Sequence, residues 1–526
     1  RHQTLGGGST LNKNILGVEV PESITGLGSL RPFDGKRFSG TEHELAKIKN
    51  PELAKSKIVK DLKTAIELSG LKDGMTISFH HHFRNGDYIV NLVLEAAAAL
   101  GIKNLTVAAS SLTDIHTPMV DHIKNGIVYR IETSGLRGEL ANQISHGLMD
   151  VPVVFRSHGG RAYSIASGEL KIDVAFLGVP SSDLYGNANG FSRDGDNSSA
   201  CGALGYAMVD AKYAEKVILL SNNIVPFPNT PCMIPQTDVD YIVELEAIGD
   251  PKGIMSGATR YSTNPKELMI ARAAAEVMEA SGYFKDGFSF QTGTGGSSLA
   301  VTRFLKEKMI AKGIKASFAL GGITSQIVKL HEEGFVKKIL DVQCFDLDAV
   351  ESTLRNEFHH VVDAHFYAGP GVEGAAVDQL DMVVLSALAI DVNFNVNVLT
   401  GSDGVIRGAV GGHPDTSAGA KLAIIVAPLV RGRIPTILDR VNTICTPGMT
   451  VDVLVTEQGI AVNPARQDLI ERLAAAGIKT ETIEGLKAKA EKIVGHPNPI
   501  EYGEKVVGVV TYRDSSVIDL IHEVSR

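Results

Sequence analysis

The sequence predicts an α/β protein built from two related open-sheet domains, and three observations carry that reading. A chain of 526 residues is too long for a single hydrophobic core. Short β-branched runs alternate with helical segments, as parallel βαβ units require. One block also recurs: DVAFLGVPSSDLYGNAN from Asp173 and DMVVLSALAIDVNFNVN from Asp381. Each places an aspartate ten residues on, at Asp183 or Asp391, with asparagines four and six beyond it, Asn187 and Asn189 or Asn395 and Asn397. Flanking pairs keep the same order, GIKNLTVAAS from Gly101 with GIKASFALGG from Gly313, and PQTDVDYIVE from Pro235 with PGMTVDVLVTE from Pro447.

Taken in chain order, residues 1–55 read as an irregular lead-in containing GGGST. A helix near Ser56 to Ser69 opens the first domain, assigned to 56–262. GMTISF, NLTVAAS, VPVVFR and KIDVAFLGV read as strands, with a helix around Tyr88 to Leu100 after the first. The division falls between Gly257 and Lys266, and a helix from about Pro265 to Ala280 begins the second domain, 263–526. FSFQTGTGG then ends a strand. Ser297 or Ser298 caps a helix from about Leu299 whose buried stripe is Val301, Phe304, Leu305 and Met309.

Composition narrows the function classes. A net charge of -9 argues against nucleic acid as a partner, while leaving room for a local basic pocket that takes a small acid. The scattered Cys201, Cys232, Cys344 and Cys445 form neither a CxxC pair nor a disulfide framework, which points to a reduced, cytoplasmic setting. Apolar segments such as KLAIIVAPLV are too short and glycine-broken for bilayer spans, so no membrane role is expected. The chain begins at Arg1, which leaves targeting open.

The turn QTGTGG, Gln291 to Gly296, lacks the lysine of a P-loop and the G-x-G-x-x-G order of a dinucleotide site. Its amides at Gly295 and Gly296, with the hydroxyls of Thr292 and Thr294, suit an oxyanion or a phosphate, and also an ordinary tight βα connection. Similar turns recur in TSGLRG, SHGGR, ALGGITS, TGSDG and RGAVGGH, where Arg137, Arg161 and Arg407 are candidates for pairing with carboxylate or phosphate. In FHHHFRNG, His80 to His82 with Arg84, successive strand side chains point to opposite faces, so a compact metal set is not expected.

GMTISFHHHFRNGD, FLGVPSSDLYGNANG, FSFQTGTGGSSLAVTRF, NFNVNVLTGSDGVIRGAVGGH, VAPLVRGRIPT and TEQGIAVNPAR together resemble the citrate lyase alpha-chain family, the citrate:acyl-carrier-protein transferase component. The resemblance covers nearly all residues after about Lys60. It implies the coenzyme A transferase (NagB/RpiA-like) fold and an exchange in which acetyl-carrier and citrate give citryl-carrier and acetate. The implied partners are a beta chain that cleaves the citryl group and a gamma carrier chain bearing a phosphoribosyl-dephospho-coenzyme A prosthetic group, in an oligomeric complex. The resemblance further implies that this chain holds no cofactor tightly, needs no metal for its step, and leaves magnesium to the lyase step.

In that frame, Gly295 and Gly296 stabilise the developing oxyanion, and Asp391 and His413 join them as catalytic candidates. Thr292, Gly293, Thr294, Gly321, Gly322, Gly401 and Gly404 are candidates for contact with the thioester arm. Arg137, Arg161 and His413 are candidate citrate anchors, His413 also as donor to the thioester carbonyl. Coenzyme A transferases of this fold form a glutamyl thioester, but SALAIDVNFN carries Ala389 where an acid would serve, leaving Asp391 and Glu457 nearby. Direct transfer through a citryl-acetyl mixed anhydride is therefore expected. The alternatives are a citramalate lyase alpha chain, a transferase using free coenzyme A thioesters, and a non-enzymatic binder of a phosphorylated cofactor.

Overall fold

Burial on both faces selects the strands. VAFLG at Val174–Gly178 and LAIIV at Leu422–Val426 are buried at every position, as central parallel strands must be. The computed structural model describes residues 11–33, 56–255 and 262–526. It divides into two units, Arg1–Lys55 and Ser56–Arg526. Within the first, Leu11–Lys13 pairs with Glu19–Pro21 and Ser23–Ile24 with Gly28–Ser29, each antiparallel.

The second unit holds two large sheets. The strands of the first are β1 (Ile58–Val59), β2 (Thr76–Phe79), β3 (Leu105–Ala109), β4 (Val128–Thr133), β5 (Val153–Phe155), β6 (Val174–Gly178), β7 (Lys216–Ser221) and β8 (Tyr241–Glu244). Those of the second are β9 (Ser289–Thr292), β10 (Ala316–Ile323), β11 (Val336–Cys344), β12 (His359–Val361), β13 (Met382–Ser386), β14 (Leu422–Val426), β15 (Val453–Thr456) and β16 (Gly459–Val462). Two further strands, β17 (Tyr502–Thr511) and β18 (Val517–Val524), follow. The sheet orders are β18-β17-β5-β4-β3-β2-β6-β7-β8-β1 and β12-β11-β10-β9-β13-β14-β15-β16.

Both sheets follow one plan. A central strand, β2 or β9, is flanked on one side by the next three strands in sequence and on the other by the three after those. The repeated acids perform the same task in each copy. The Thr76 amide donates to the Asp173 carboxylate at 2.8 Å, and the Ser289 amide donates to Asp381 at 3.0 Å. Asp183 accepts the amides of Tyr185 and Asn187, while Asp391 accepts those of Asn393 and Asn395. The side-chain oxygens of Asn187 and Asn395 in turn accept the Gln236 and Gly448 amides, at 2.9 Å and 2.8 Å. The spacing seen in the sequence is thus a pair of buried loops whose backbone donors are satisfied from within.

Two expectations change. The helix expected from Leu299 runs Gly296–Lys312, with Gly295 rather than a serine at its N-cap. The last hairpin, assigned by sequence to the second domain, belongs to the first sheet: β17 lies parallel to β5, with Gly508 opposite Val153, and pairs antiparallel with β18. An uncovered β5 would present an open edge, and Val507, Val510 and Ile521 bury themselves in covering it. The helix Pro265–Ala280, capped by Asn264 and with proline in its first turn, starts and stops where its sequence signals place it.

Arg161 is part of this framework. From the helix His158–Ala166 it forms a two-pronged ion pair with Asp210, at 2.7 and 2.8 Å, and it donates to the Ala108 carbonyl at 3.2 Å. Asp210 is fully buried and Arg161 only 4% exposed. Arg161→Ala strands that carboxylate, and a loss of about 3–5 kcal/mol in urea unfolding is expected; a loss below about 1 kcal/mol would mean the pair is solvated.

Candidate functional site

The C-terminal ends of the parallel strands of both sheets meet at a cavity of about 410 Å³, the usual ligand position in open α/β sheets. The first sheet contributes His81 and Arg84 after β2, Ser111 after β3, Arg137 after β4 and His158 after β5. The second contributes Thr292 to Gly295 after β9 and Gly322 at the end of β10. A backbone seam joins the two walls. Leu136 donates to the Gly408 carbonyl at 3.0 Å, Val410 to Ser134 at 2.7 Å, and His158 to Gly411 at 2.9 Å. Glycine is needed there for close passage: a Cβ on Gly135 would stand 2.7 Å from the Ala409 Cα.

Among the described residues neither arginine of the first wall forms an ion pair, although the nearby Asp114 carboxylate acts on Arg137 through its charge. Arg84 packs over the Phe345 ring at 5.0 Å, with only a long contact to the Ile254 carbonyl at 3.5 Å. Its backbone is left-handed, at φ 51°, a conformation that costs a non-glycine residue roughly 1–3 kcal/mol. Arg137 precedes the helix Gly138–Ser145, and its guanidinium has no hydrogen bond or ion pair among the described residues. Burial lowers the pKa of both, and for Arg84 the charge of Arg137 adds to the effect. Among the described residues no aspartate or glutamate lines the cavity. Two arginines on a wall with no acid in its described lining suit an anion.

Beside them, His81, His158 and Tyr206 form an aromatic cluster, with His81 at 4.9 Å and His158 at 4.5 Å from the Tyr206 ring. Burial holds His158 at a pKa of about 3 and pushes His81 well down, so both are neutral near pH 7. The backbone around His158 is fixed by Asp415, which accepts from the Ser157 hydroxyl at 3.1 Å, the Gly159 amide at 3.0 Å and Arg513 at 2.9 Å. Burial raises the Asp415 carboxyl to about 6 against the pull of Arg513.

The second wall offers amides and hydroxyls. The Gly293 amide is spent on the Val384 carbonyl, at 2.9 Å, whereas the amides of Thr294 to Ser298 meet no acceptor among the described residues. Gly295 heads the helix Gly296–Lys312, where the dipole adds to the attraction for negative charge. A Cβ on Gly295 would stand 2.7 Å from the Ser386 hydroxyl, so glycine keeps this edge open. The hydroxyls of Thr292 and Thr294 are likewise without partners among the described residues.

His413 lines the cavity, but both ring nitrogens are engaged: Nε2 donates to the Ser386 carbonyl at 2.9 Å and Nδ1 accepts from the Thr446 hydroxyl at 2.6 Å. Burial lowers its pKa to about 4. It holds the Ser386 backbone in place and has no N–H left for a thioester carbonyl or a citrate carboxylate.

Other candidates lie off the wall. Arg161 is taken by Asp210. Asp391 is buried beneath four N–H donors, the amides of Asn393, Asn395 and Val441 and the Asn395 side chain. Gly296 faces the Glu267 carboxylate, and Gly321, at φ 99°, packs on Gln291. Gly401 lines a second cavity of about 350 Å³, which shares Leu388 and Arg431 with the first. A Cβ on Gly404 would stand 3.1 Å from Tyr502 and from Val524. Arg407 pairs with exposed Asp403. Among the described residues, the set with metal-ligand proximity is buried Asp341, Cys344 and His359 rather than the histidine triplet. Its donors are already joined, His359 to Asp341 at 2.7 Å and Cys344 to Asp341 at 3.0 Å.

Sequence reasoning assigned no site role to Ser111 or His158 and noted Arg84 only as part of the histidine motif. Their common signal is a polar residue directly after a first-half strand, matching the position of QTGTGG after β9 in the second half.

Residues 55–524 match the family model described as citrate lyase, alpha subunit. The citrate lyase alpha chain of Haemophilus influenzae is 60% identical over 468 residues, 89% of this chain and 93% of that protein. A Streptococcus mutans chain, named as the alfa subunit of citrate lyase and crystallised with citrate, is 56% identical, with a TM-score of 0.89 over 94% of this chain and 97% of that one. A 4-hydroxybutyrate CoA-transferase from Porphyromonas gingivalis shares the fold alone, at 17% identity and a TM-score of 0.51 over 82% of this chain and 96% of that one. By the length of the family match and the identity to its relatives, the chain belongs to the citrate lyase alpha subunit family.

Proposed function

We infer that this chain moves an acyl-carrier thioester from acetate to citrate, acetyl-carrier plus citrate giving citryl-carrier plus acetate. The observation that carries the reading is the sorting of unpaired polar groups in the cavity. Two arginines, a neutral imidazole and the Ser111 hydroxyl come from the first wall, and amides with two threonine hydroxyls from the second. Arg84 and Arg137 hold citrate carboxylates, and the Thr294–Gly295 edge receives the thioester carbonyl with its developing negative charge.

Transfer is direct. A citrate carboxylate is a nucleophile near neutral pH without a protein base. It attacks the acetyl carbonyl; the C–S bond breaks, releasing carrier thiolate, and a citryl-acetyl anhydride remains. The thiolate then attacks the citryl carbonyl of that anhydride and acetate leaves. Alignment of two anions in a positively charged cleft supplies the acceleration. The acid-free wall supports this route over a glutamyl thioester: Asp391 is enclosed by its donors, and Glu457 accepts from the Leu429 amide at 3.0 Å.

The carrier's long prosthetic arm enters by way of the second cavity, which shares Leu388 and Arg431 with the first, and on this reading Gly401 lies beside the arm rather than beside the reacting carbonyl. The beta and gamma chains of the lyase complex are the partners, and magnesium belongs to the later cleavage. Among the described residues no helix is long and apolar enough to cross a membrane, and we place the enzyme in the cytoplasm. Mass spectrometry of acetyl-carrier incubated with this chain and citrate should show loss of acetyl and gain of citryl, and exchange at equal rates with citramalate or free coenzyme A thioesters would displace this reading.

Arg137→Ala and Arg84→Ala should each raise the KM for citrate about 10- to 100-fold, as loss of a charge-assisted contact implies, with a smaller effect on acetyl-carrier. Unchanged citrate dependence would remove that arginine from the anchor set. Hydroxylamine under single turnover should trap no acyl-enzyme at Glu457 or Asp391.

The pH dependence has a definite sign. His413 and His158 are held at about 4 and about 3 in the folded chain, whereas unfolded imidazoles titrate near about 6.5. The unfolded state therefore binds more protons in between, and stability falls as pH drops from about 6.5 toward 4. Urea midpoints at pH 7.5 and pH 5 should differ in that direction. The kcat/KM profile should show no ionisation of either imidazole between pH 6 and 8.

A further inference from the structure

Of the polar side chains lining the cavity, most are already committed. Gln291 and Tyr367 bond each other, Gln343 serves Tyr206 and the His81 carbonyl, and Ser386 meets Ser298. His158 is different. Neither ring nitrogen has a hydrogen-bond partner among the described residues, and Nδ1 is buried without one. The residue is partly exposed while Nδ1 is closed off, so the ring presents its Nε2 edge to the cavity. Space beside that edge is kept by glycine: a Cβ on Gly411 would stand 3.6 Å from Nε2.

Resting on the transfer reading above, we propose that His158 recognises the tertiary hydroxyl of citrate and so sets the preference for a hydroxylated tricarboxylate. The two arginines suit carboxylates, whereas a hydroxyl is met by a single neutral nitrogen that donates or accepts according to its tautomer and draws in no further anion. The Nε2 of a neutral imidazole has that character, and burial keeps His158 neutral near pH 7. The ring is also preset in position. Its own amide bonds Gly411, Ser157 caps its helix by accepting from Gly160 at 2.9 Å, and Tyr206 packs against it. A hydroxyl reader that is rigid and otherwise unbonded discriminates strongly, because a substrate without the hydroxyl leaves it unsatisfied.

The test compares citrate with propane-1,2,3-tricarboxylate, the same acid without the hydroxyl, in acyl exchange from acetyl-carrier and in calorimetric binding to the full chain. The wild-type chain should favour citrate by about 100-fold or more in kcat/KM. His158→Phe, which keeps a ring against Tyr206, should lose about 100-fold on citrate, change little on the deoxy acid, and bring the ratio near one. His158→Asn, which restores a donor and an acceptor, should recover part of the preference, and it carries the test if the phenylalanine variant does not fold. A ratio in His158→Phe equal to wild type, or a wild-type chain that binds both acids alike, overturns the proposal while leaving the transfer reaction standing. A wild-type chain that binds citrate selectively yet makes no citryl-carrier sinks the transfer reading and keeps the binding role of His158.

Discussion

The backbone seam between Ser134–Leu136 and Gly408–Gly411 is the contact on which the rest of the site depends. It ties the loop after β4 to residues 408–411 of the second half through the Leu136, Val410 and His158 amides, so that His158 and the residue before Arg137 are held by one short stretch. Close passage of the two backbones leaves no room for a side chain at Gly135, and the Val398 carbonyl leaves none at Gly408. These two glycines therefore serve protein meeting protein, whereas the QTGTGG turn carries amides unpartnered among the described residues.

Around that seam, desolvation decides which groups remain available. A buried polar atom on the cavity wall must find a partner within the protein or lose hydrogen bonding to water. His413, Gln291 and Ser386 are satisfied in this way, whereas the side chains of Arg137, His158, Thr292 and Thr294 have no partner among the described residues. The same rule explains Asp183 and Asp391, whose carboxylates are consumed in closing the two equivalent loops.

Much of the fold was legible because its signals are local or periodic. Buried β-branched runs mark the strands, and the Asp-Asn-Asn spacing betrays the duplication because each copy must satisfy the same loop donors. The final hairpin was not legible: nothing in residues 502–524 names β5 as their neighbour, since edge covering is a long-range contact. At the site, Arg137 and the Thr292–Gly295 turn could be picked out because their loops follow strands directly. Arg161 could not be told from Arg137, as its partner Asp210 lies in another helix. The engagement of His413 was hidden for a similar reason, its donor and acceptor partners being the distant Thr446 hydroxyl and Ser386 carbonyl. Arg84 gave no sequence sign of its left-handed backbone.

The returning hairpin also bears on synthesis. On the ribosome, the first half emerges with β5 as an unpaired edge, and its covering strands are made only after the whole second half has left the exit tunnel. The early chain must wait with a hydrogen-bonding edge exposed. Chaperone attendance during translation, and sensitivity of yield to the pace of elongation through the second half, follow from where β17 and β18 dock rather than from anything in the active cleft.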